Sequence, residues 1–376
     1  MSIVTLVEKP DQFVYVYNPV TFTLNHPTGA GYSIEIRLYL QGATSETFSY
    51  VYNATKYSGN DGNVTFNLQY VIESFLRHQL PDVNSSVAQE MPYSARRFYI
   101  AWRAPGLFEN EFDDNSTDNM IAILGGFNFV EYLNKQGLYP RSKPFLTNKN
   151  LERSITPGQR DFISLIPTVE TTCNMNITIH YSDATTTVLS KDYGTLDAIK
   201  FYTLPFGDNV FDFFNQSPEK TITKIEVGIT EFPSINLVLK PKIKNCEWPR
   251  QFIYFNSYGG LETFISTGVS NRSIEEVSNT MFRNYLYDNY SLSNGEYTQN
   301  KTENQLHITV SSGHLSKDEF ESMLDIFHVK QLFEIQENQA VRCIVNQNKT
   351  DLPPDDQFQY AITFKYYYAF LIAGLR

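Results

Sequence analysis

The histidines and cysteines are the residues most able to bind a metal, but their spacing does not form a metal motif. His307 and His314 lie seven residues apart in the segment HITVSSGH. On a β-strand, an odd separation places two side chains on opposite faces of the sheet. The pair therefore predicts ordinary core or surface histidines instead of a zinc site.

The three cysteines, Cys173, Cys246 and Cys343, lie far apart in the chain. They form no C-x-x-C motif, and their odd count argues against a disulfide framework. We therefore expect buried free thiols, which are typical of proteins assembled in a reducing cytoplasm.

The densest group of oxygen ligands is Glu109 to Asp118, with the sequence ENEFDDNSTD. Calcium accepts carboxylate and amide oxygens of this kind. The segment lacks the glycine and the final glutamate of an EF-hand loop, so the sequence favours an exposed acidic loop over a calcium site. We predict that the protein binds no metal and no cofactor.

The sequence contains no local signature of an enzyme. The G-x-S-x-G nucleophile elbow is missing, and so are the glycine-rich motifs that bind phosphates or dinucleotides. The paired carboxylates of a glycoside hydrolase leave no local pattern, because they come from distant strands. We predict a non-enzymatic protein. A carbohydrate-binding or host-attachment module and a glycan-cleaving enzyme stay open as alternatives.

The composition indicates a β-rich protein with protein partners. Among 376 residues there are 28 Phe and 25 Tyr, which favour strands, and tyrosine also suits interfaces. A net charge of −11 argues against tight, sequence-independent nucleic-acid binding, which needs lysine and arginine to neutralise phosphates. The sequence has no apolar run long enough to span a membrane, and its first residues do not resemble a signal peptide.

Hydrophobic patterns predict tandem β-sandwich modules followed by a small α+β C-terminal unit. Tyr32 to Leu40 alternates apolar and polar residues, as in a half-buried antiparallel strand. Pro140, Pro144 and Pro157 mark a stretch where this pattern fades. Four segments are predicted: an N-terminal β-sandwich with one helix (1–132), an extended linker (133–161), a second β-sandwich (162–245), and an aromatic hairpin with the α+β unit (246–376).

Helical spacing of apolar residues predicts two helices. The first lies near Leu68 to Leu76, and the second covers Leu315 to Phe327. Ser316 and Glu319 stand at the positions of a capping box that starts the second helix. Ser273 to Asn284 also carries a possible capping box, but its neighbours favour an extended segment.

The most distinctive stretch is an aromatic β-hairpin. Gln251 to Phe255 is almost purely apolar, and Leu261 to Thr267 is rich in β-branched and aromatic residues. Between them, Asn256 is followed closely by Gly259 and Gly260, which can adopt the positive φ values of a tight connection. Two such strands with a glycine-containing loop predict a β-hairpin.

Three stretches resemble virion structural proteins of tailed phages of Bacteroidetes-type hosts, including crAss-like phages. They are Val14 to Leu24, the block WPRQFIYFNSYGGLETF from Trp248 to Phe264, and the helix–hairpin unit from Gly313 to Val345. The resemblance implies β-sandwich modules that build tail, neck or ring layers, and it implies no catalytic residues. The positions that it marks as fold-defining or assembly residues are Trp248, Phe255, Asn256, Gly259 and Gly260.

This resemblance implies a non-enzymatic component of a phage virion, in the tail or the head-to-tail connector. Its expected partners are other copies of itself, in a symmetric homo-oligomer, and neighbouring virion proteins. Nucleic-acid-specific binding and membrane association are not expected. The expected location is the virion, after assembly in the cytoplasm of the host bacterium.

Overall fold

The computed structural model is mainly β, with tandem β-sheet modules and a small helical part near the C-terminus, and this confirms the predicted fold class. The structure describes residues 4–105, 115–126, 145–147, 149, 151–242, 249–282, 297–327, 331–346 and 360–369, with 275–304 as backbone only. Contacts divide the chain into two units. The first contains Met1–Ile243 and Tyr254–Thr263, and the second contains Lys244–Ile253 and Phe264–Arg376. The predicted domain boundaries stay a prediction.

The N-terminal half of the first unit contains a three-stranded sheet and a five-stranded sheet, in the orders β1-β3-β6 and β2-β9-β8-β4-β5. Alternating residues of β4 are buried, as its sequence pattern predicts. The elements are β1 (Thr5–Glu8), β2 (Phe13–Tyr15), β3 (Thr21–Asn25), β4 (Ser33–Gln41), β5 (Phe48–Tyr57), β6 (Asn63–Asn67), the predicted helix α1 (Gln69–Ser74), β7 (Gln89–Glu90), β8 (Ala95–Arg103) and β9 (Met120–Ile123).

The second half of this unit contains the five-stranded sheet β10-β16-β15-β12-β13. Strands β11 and β14 form a smaller sheet with β7, so the two halves share a sheet. The elements are β10 (Glu152–Ile155), β11 (Phe162–Leu165), β12 (Thr171–Tyr181), β13 (Thr186–Leu196), β14 (Tyr202–Pro205), α2 (Asp208–Phe211), a 3-10 turn (Phe213–Asn215), β15 (Ile222–Ile229) and β16 (Phe232–Pro241).

The described part of the segment predicted as a linker packs into the first unit. Phe145, Leu146 and Ile155 are buried, and β10 pairs in parallel with β16. Prolines and basic residues dominate the sequence pattern there, whereas the few apolar residues between them provide the packing. This half of the segment therefore has a structural role that its composition does not show.

The second unit is based on a sheet with the strand order β18-β17-β21-β22-β23-β20-β19. Its hairpin β17–β18 also supplies Tyr254–Thr263 to the first unit. Residues 270–282 are extended, as expected. The elements are β17 (Arg250–Phe255), β18 (Leu261–Ser266), β19 (Ser270–Phe282), β20 (Tyr297–Ser311), α3 (Lys317–Met323), a 3-10 turn (Leu324–Phe327), β21 (Leu332–Gln336), β22 (Gln339–Val345) and β23 (Thr363–Tyr368).

Helix α3 begins with the predicted capping box. The Ser316 hydroxyl accepts a hydrogen bond from the Glu319 N–H at 3.2 Å, and the Glu319 carboxylate accepts one from the Ser316 N–H at 3.0 Å. Each contact satisfies a backbone donor that has no partner within the helix. Phe320 and Met323 are buried on the inner side of the helix.

Replacing the cap gives a direct test of this local structure. We expect Ser316→Ala to lower the free energy of unfolding by about 1 kcal/mol, because the Glu319 N–H loses its acceptor. Thermal or urea unfolding followed by circular dichroism measures the change. The control is Ser190→Ala at an exposed position of β13, and an equal effect of both substitutions would contradict the role of the cap.

Candidate functional site

The tip of the β17–β18 hairpin is fixed by the side chain of Asn256, which is buried. Its amide nitrogen donates to the Leu146 carbonyl at 3.0 Å and to Glu262 Oε1 at 3.1 Å. Its amide oxygen accepts from the Gly260 N–H at 2.9 Å. Because both ends of the amide are used, Asn256 closes the turn and also joins it to a segment 110 residues earlier.

The two glycines of the turn are required by close backbone contacts. Gly259 has a φ of +77°, and a Cβ atom there would lie 2.7 Å from the Leu124 carbonyl oxygen. A Cβ atom on Gly260 would lie 1.9 Å from the Leu146 carbonyl oxygen. Neither position has room for a side chain, since real Cβ atoms do not approach backbone atoms this closely.

The segment that follows β9, residues 124–126, also contacts the turn through Gly125 and Gly126. The Gly126 N–H donates to the Ser257 carbonyl at 2.7 Å. A Cβ atom on Gly125 would lie 2.6 Å from the same oxygen. The end of β9 is therefore packed directly on the hairpin tip, backbone against backbone.

The structure brings together four of the five motif residues predicted from the sequence. Phe255 is buried and its ring stacks on the His78 ring, with 4.3 Å between the centroids. Asn256, Gly259 and Gly260 form the turn, and Trp248 lies outside the described residues. The role of these residues in assembly stays a prediction.

A buried charged cluster lies beside the turn, and the sequence interpretation missed it. Glu262 is 1% exposed, and its Oε1 accepts hydrogen bonds from Thr147 and Asn256. Its Oε2 faces Lys149 Nζ at 3.3 Å and Arg153 Nη1 at 3.6 Å. The only available signal was an acidic residue inside the otherwise uncharged strand sequence LETFIS.

A second carboxylate, Asp161, lies next to this cluster. It accepts hydrogen bonds from the Thr263 hydroxyl at 2.8 Å and from the Phe162 N–H at 2.9 Å. Burial raises the pKa of Asp161, while the charges of Arg153 and Lys149 oppose the shift. The Lys149 ammonium also donates to the Thr263 carbonyl, so Thr263 contacts both kinds of charge.

These contacts use the charges of the cluster to join segments of the first unit. Both oxygens of Glu262 are engaged by protein groups, and two cations offset the cost of its burial. Breaking such a cluster on one side leaves an uncompensated charge in the interior, which is strongly destabilising. The arrangement therefore attaches the hairpin to residues 147–161 by electrostatic attraction.

The second unit has its own buried ion pair. Arg250 Nη1 lies 2.5 Å from Glu334 Oε1, and the hydroxyls of Tyr366 and Tyr368 donate to Glu334 Oε2 at 2.7 and 2.8 Å. Burial and the Glu334 charge raise the pKa of both tyrosines. Burial lowers the pKa of Arg250, but Glu334 and the tyrosines outweigh it and raise the pKa overall.

The remaining candidate ligands do not meet in the described part of the chain. His307 is buried in β20 with its ring 5.3 Å from the Tyr367 ring, whereas His314 is exposed beyond the strand. Cys173 and Cys343 are free and buried, and burial raises the pKa of the Cys173 thiol to about 12. Cys246 lies outside the described residues.

Residues 109–114 of the acidic segment also lie outside the described residues, so the calcium hypothesis stays a prediction. The end of the segment is held on β8, where the Trp102 N–H donates to the Asn115 carbonyl at 3.0 Å. Within the described ranges, no group of three or more His, Cys, Asp or Glu side chains could hold a metal ion. In the same ranges, every helix is too short or too polar to cross a membrane.

Neither the protein-family models nor the curated proteins contain a match to this chain. Solved structures give weak similarities. One is CBD12 from CALX1.2, with 9% identity, coverage of 57% of this chain and 76% of that chain, and a TM-score of 0.18. Another is the calcium-binding domain CBD12 of CALX1.1, with 8% identity, coverage of 64% of this chain and 99% of that chain, and a TM-score of 0.21. Trypsin-activated alpha-2-macroglobulin from Escherichia coli also matches, with 7% identity, coverage of 96% of this chain and 23% of that chain, and a TM-score of 0.19. TM-scores of this size carry no argument about function.

The close contact at Gly260 predicts a large effect of a single methyl group. We expect Gly260→Ala to lower the free energy of unfolding by about 3 kcal/mol, because the added carbon overlaps the Leu146 carbonyl. The matched control is Gly228→Ala, whose Cβ would meet its nearest neighbour, the Ile235 carbonyl oxygen, at 4.0 Å. Urea unfolding of both variants measures the difference, and equal stability would refute the packing described for the turn.

The buried cluster predicts that removing the charge of Glu262 lowers the stability of the protein much more than removing the charge of the exposed Glu152. We expect Glu262→Gln, which keeps the shape of the side chain, to cost about 3–5 kcal/mol because Lys149 and Arg153 lose their counter-ion. Glu152→Gln breaks the exposed pair with Lys240 and should cost at most about 1 kcal/mol. Thermal unfolding of the two variants at pH 7 measures both losses of stability. Equal losses would contradict the structural role of the cluster.

Proposed function

We propose that the protein is a non-enzymatic structural component of a bacteriophage virion, in the tail or the head-to-tail connector, and acts through protein–protein assembly. The sequence resemblance motivates the phage context. The observation that carries the assembly role is a long edge strand, β13, which is the last strand of its sheet among the described residues.

Strand β13 is eleven residues long and pairs with β12 along one side. Its other side offers backbone donors and acceptors to a further strand. Soluble proteins usually protect such edges with charges, prolines or bulges. This strand has no proline, and its two charges, Lys191 and Asp192, and its register shift lie in the second half, so Thr186 to Ser190 carry no such protection. Val188 is 66% exposed near its beginning. These features suit the addition of a strand from a neighbouring subunit.

The sheet β2-β9-β8-β4-β5 also ends in a long edge strand, β5. Strand β5 is ten residues long and is the last strand of its sheet in the described part of the chain. Its side chains are exposed or half-buried throughout, and Tyr57 is 74% exposed. Two different edges on one subunit favour a heterologous interface, which closes into a ring when copies are related by rotation.

The assembly role is tested by the mass of the purified chain, measured by light scattering over a concentration series. We expect the mass to grow towards a closed oligomer as the concentration rises. Val188→Lys should shift this growth to concentrations about tenfold higher, because it places a charge on the edge strand. Val87→Lys makes the same change at a 63% exposed valine outside the strands and should leave the growth unchanged.

A strict monomer at every concentration would contradict self-assembly, and equal behaviour of the two lysine variants would contradict the assignment to β13. The phage context is tested separately. Particles purified from an infected host should contain the chain in a fixed ratio to the capsid protein, as measured by mass spectrometry. Its absence from intact particles would overturn the virion location.

A further inference from the structure

The first unit contains a cleft that the assembly role does not use. Its volume is about 480 Å³, which lies within the range of natural ligand sites. It is lined by residues 41–46, which begin at the last residue of β4, by Gln79, by residues from Glu90 to Arg97, and by Ile199, Lys200 and Phe201. We call it the Arg96 cleft.

Arg96 lines the cleft, the exposed Arg77 lies over the same tyrosine ring, and neither has a carboxylate partner among the described residues. The Arg96 guanidinium lies 5.4 Å from the centroid of the Tyr93 ring, and that of Arg77 lies 4.1 Å from it. Arg96 also donates to the Pro92 carbonyl at 3.4 Å. Burial, together with the nearby Arg77 charge, lowers the pKa of Arg96, against an opposing effect of Tyr93. A bound anion would relieve the repulsion between the two cations.

The other cations of the cleft, Lys200 and Arg97, already face carboxylates. Lys200 Nζ lies 2.8 Å from Asp197, 3.1 Å from Glu46 and 3.7 Å from Glu90. Arg97 pairs with Glu46 at 3.6 Å. These two cations and three carboxylates sum to −1, and Arg77 and Arg96 bring the total to +1, in a chain with a net charge of −11.

A row of aromatic side chains continues from the cleft across the outer face of the sheet. The register places Tyr39 opposite both Tyr50 and Tyr99. The Tyr39 and Tyr99 rings are stacked at 4.7 Å, and Tyr50 is 50% exposed. Gln41 and Arg97, which line the cleft, lie two positions from Tyr39 and Tyr99 on the same strands. Side chains two apart share one face of a strand, so the row begins where the cleft ends.

We propose that the Arg96 cleft and this aromatic row bind an acidic glycan, with a sugar carboxylate on Arg96 and sugar rings extending towards Tyr50. Guanidinium groups match carboxylates in charge and geometry, and aromatic side chains supply apolar surface for the sugar ring. An acidic peptide would use the arginines without needing the tyrosines. A neutral glycan would use the tyrosines and leave the arginines unneutralised.

Isothermal titration calorimetry on the full chain tests the ligand class with three probes of similar length. They are an oligogalacturonate, its methyl ester, which carries no charge, and an oligoglutamate peptide. We expect the oligogalacturonate to bind at least about tenfold more tightly than either of the others, as the loss of one charge-assisted contact predicts. Equal binding of the peptide, or binding of none of the probes, would overturn the proposal.

Variants then locate the site. We expect Arg96→Gln to weaken oligogalacturonate binding about tenfold and Tyr50→Ala to weaken it about threefold. The exposed Arg272 provides the charge-matched control, and Arg272→Gln should bind like the unmodified chain. An unchanged affinity in Arg96→Gln, with an unchanged circular dichroism spectrum, would overturn the assignment. The assembly role is tested by mass with Val188 on β13. Because Tyr50 lies on β5, Arg96→Gln, which lies on β8, carries the assignment of the glycan site independently of the assembly edges.

Discussion

The first unit depends on the burial of one charged side chain, Glu262. A carboxylate removed from water loses several kcal/mol of hydration, and only close cations and hydrogen bonds offset this loss. Lys149 and Arg153 supply the cations, while Thr147 and Asn256 supply the hydrogen bonds. Because these groups come from two distant parts of the chain, the hairpin and residues 147–153 must reach their final positions together. A partly docked hairpin would leave a charge buried without its partners.

The hairpin turn reinforces this requirement through shape. Gly260 faces the Leu146 carbonyl with no space for a methyl group, and Asn256 holds the same carbonyl by a hydrogen bond. A hydrogen bond tolerates small shifts in distance, whereas close contact between two backbones sets the shortest distance that the turn and the Leu146 carbonyl can reach. The two contacts together define where the hairpin lies in the first unit. The second unit also contains a buried ion pair, between Arg250 and Glu334, and there tyrosine hydroxyls supply the hydrogen bonds to the carboxylate.

The features that the sequence predicts well are those determined by neighbouring residues. The alternation in β4, the capping box at Ser316 and the turn after Phe255 each depend on residues within a few positions of one another. The charged cluster depends on pairs such as Lys149 and Glu262, which are more than a hundred residues apart, and no local pattern indicates such a pairing. Residues 145–155 were predicted as part of a linker for the same reason, because their few apolar side chains form no periodic pattern. Their burial becomes visible only with the partners in place.

The buried clusters also distinguish structural charges from the charges of the Arg96 cleft. Lys149, Arg153 and Arg250 each face a carboxylate within 4 Å, as expected for cations that the fold must bury. Arg77 and Arg96 instead share one tyrosine ring and repel each other. Glu46 and Glu90 line the same cleft as Arg96, but they pair with Lys200, and Glu46 also pairs with Arg97. The Arg96 guanidinium therefore has no carboxylate partner in the described part of the chain, and this is the basis of the proposed glycan site.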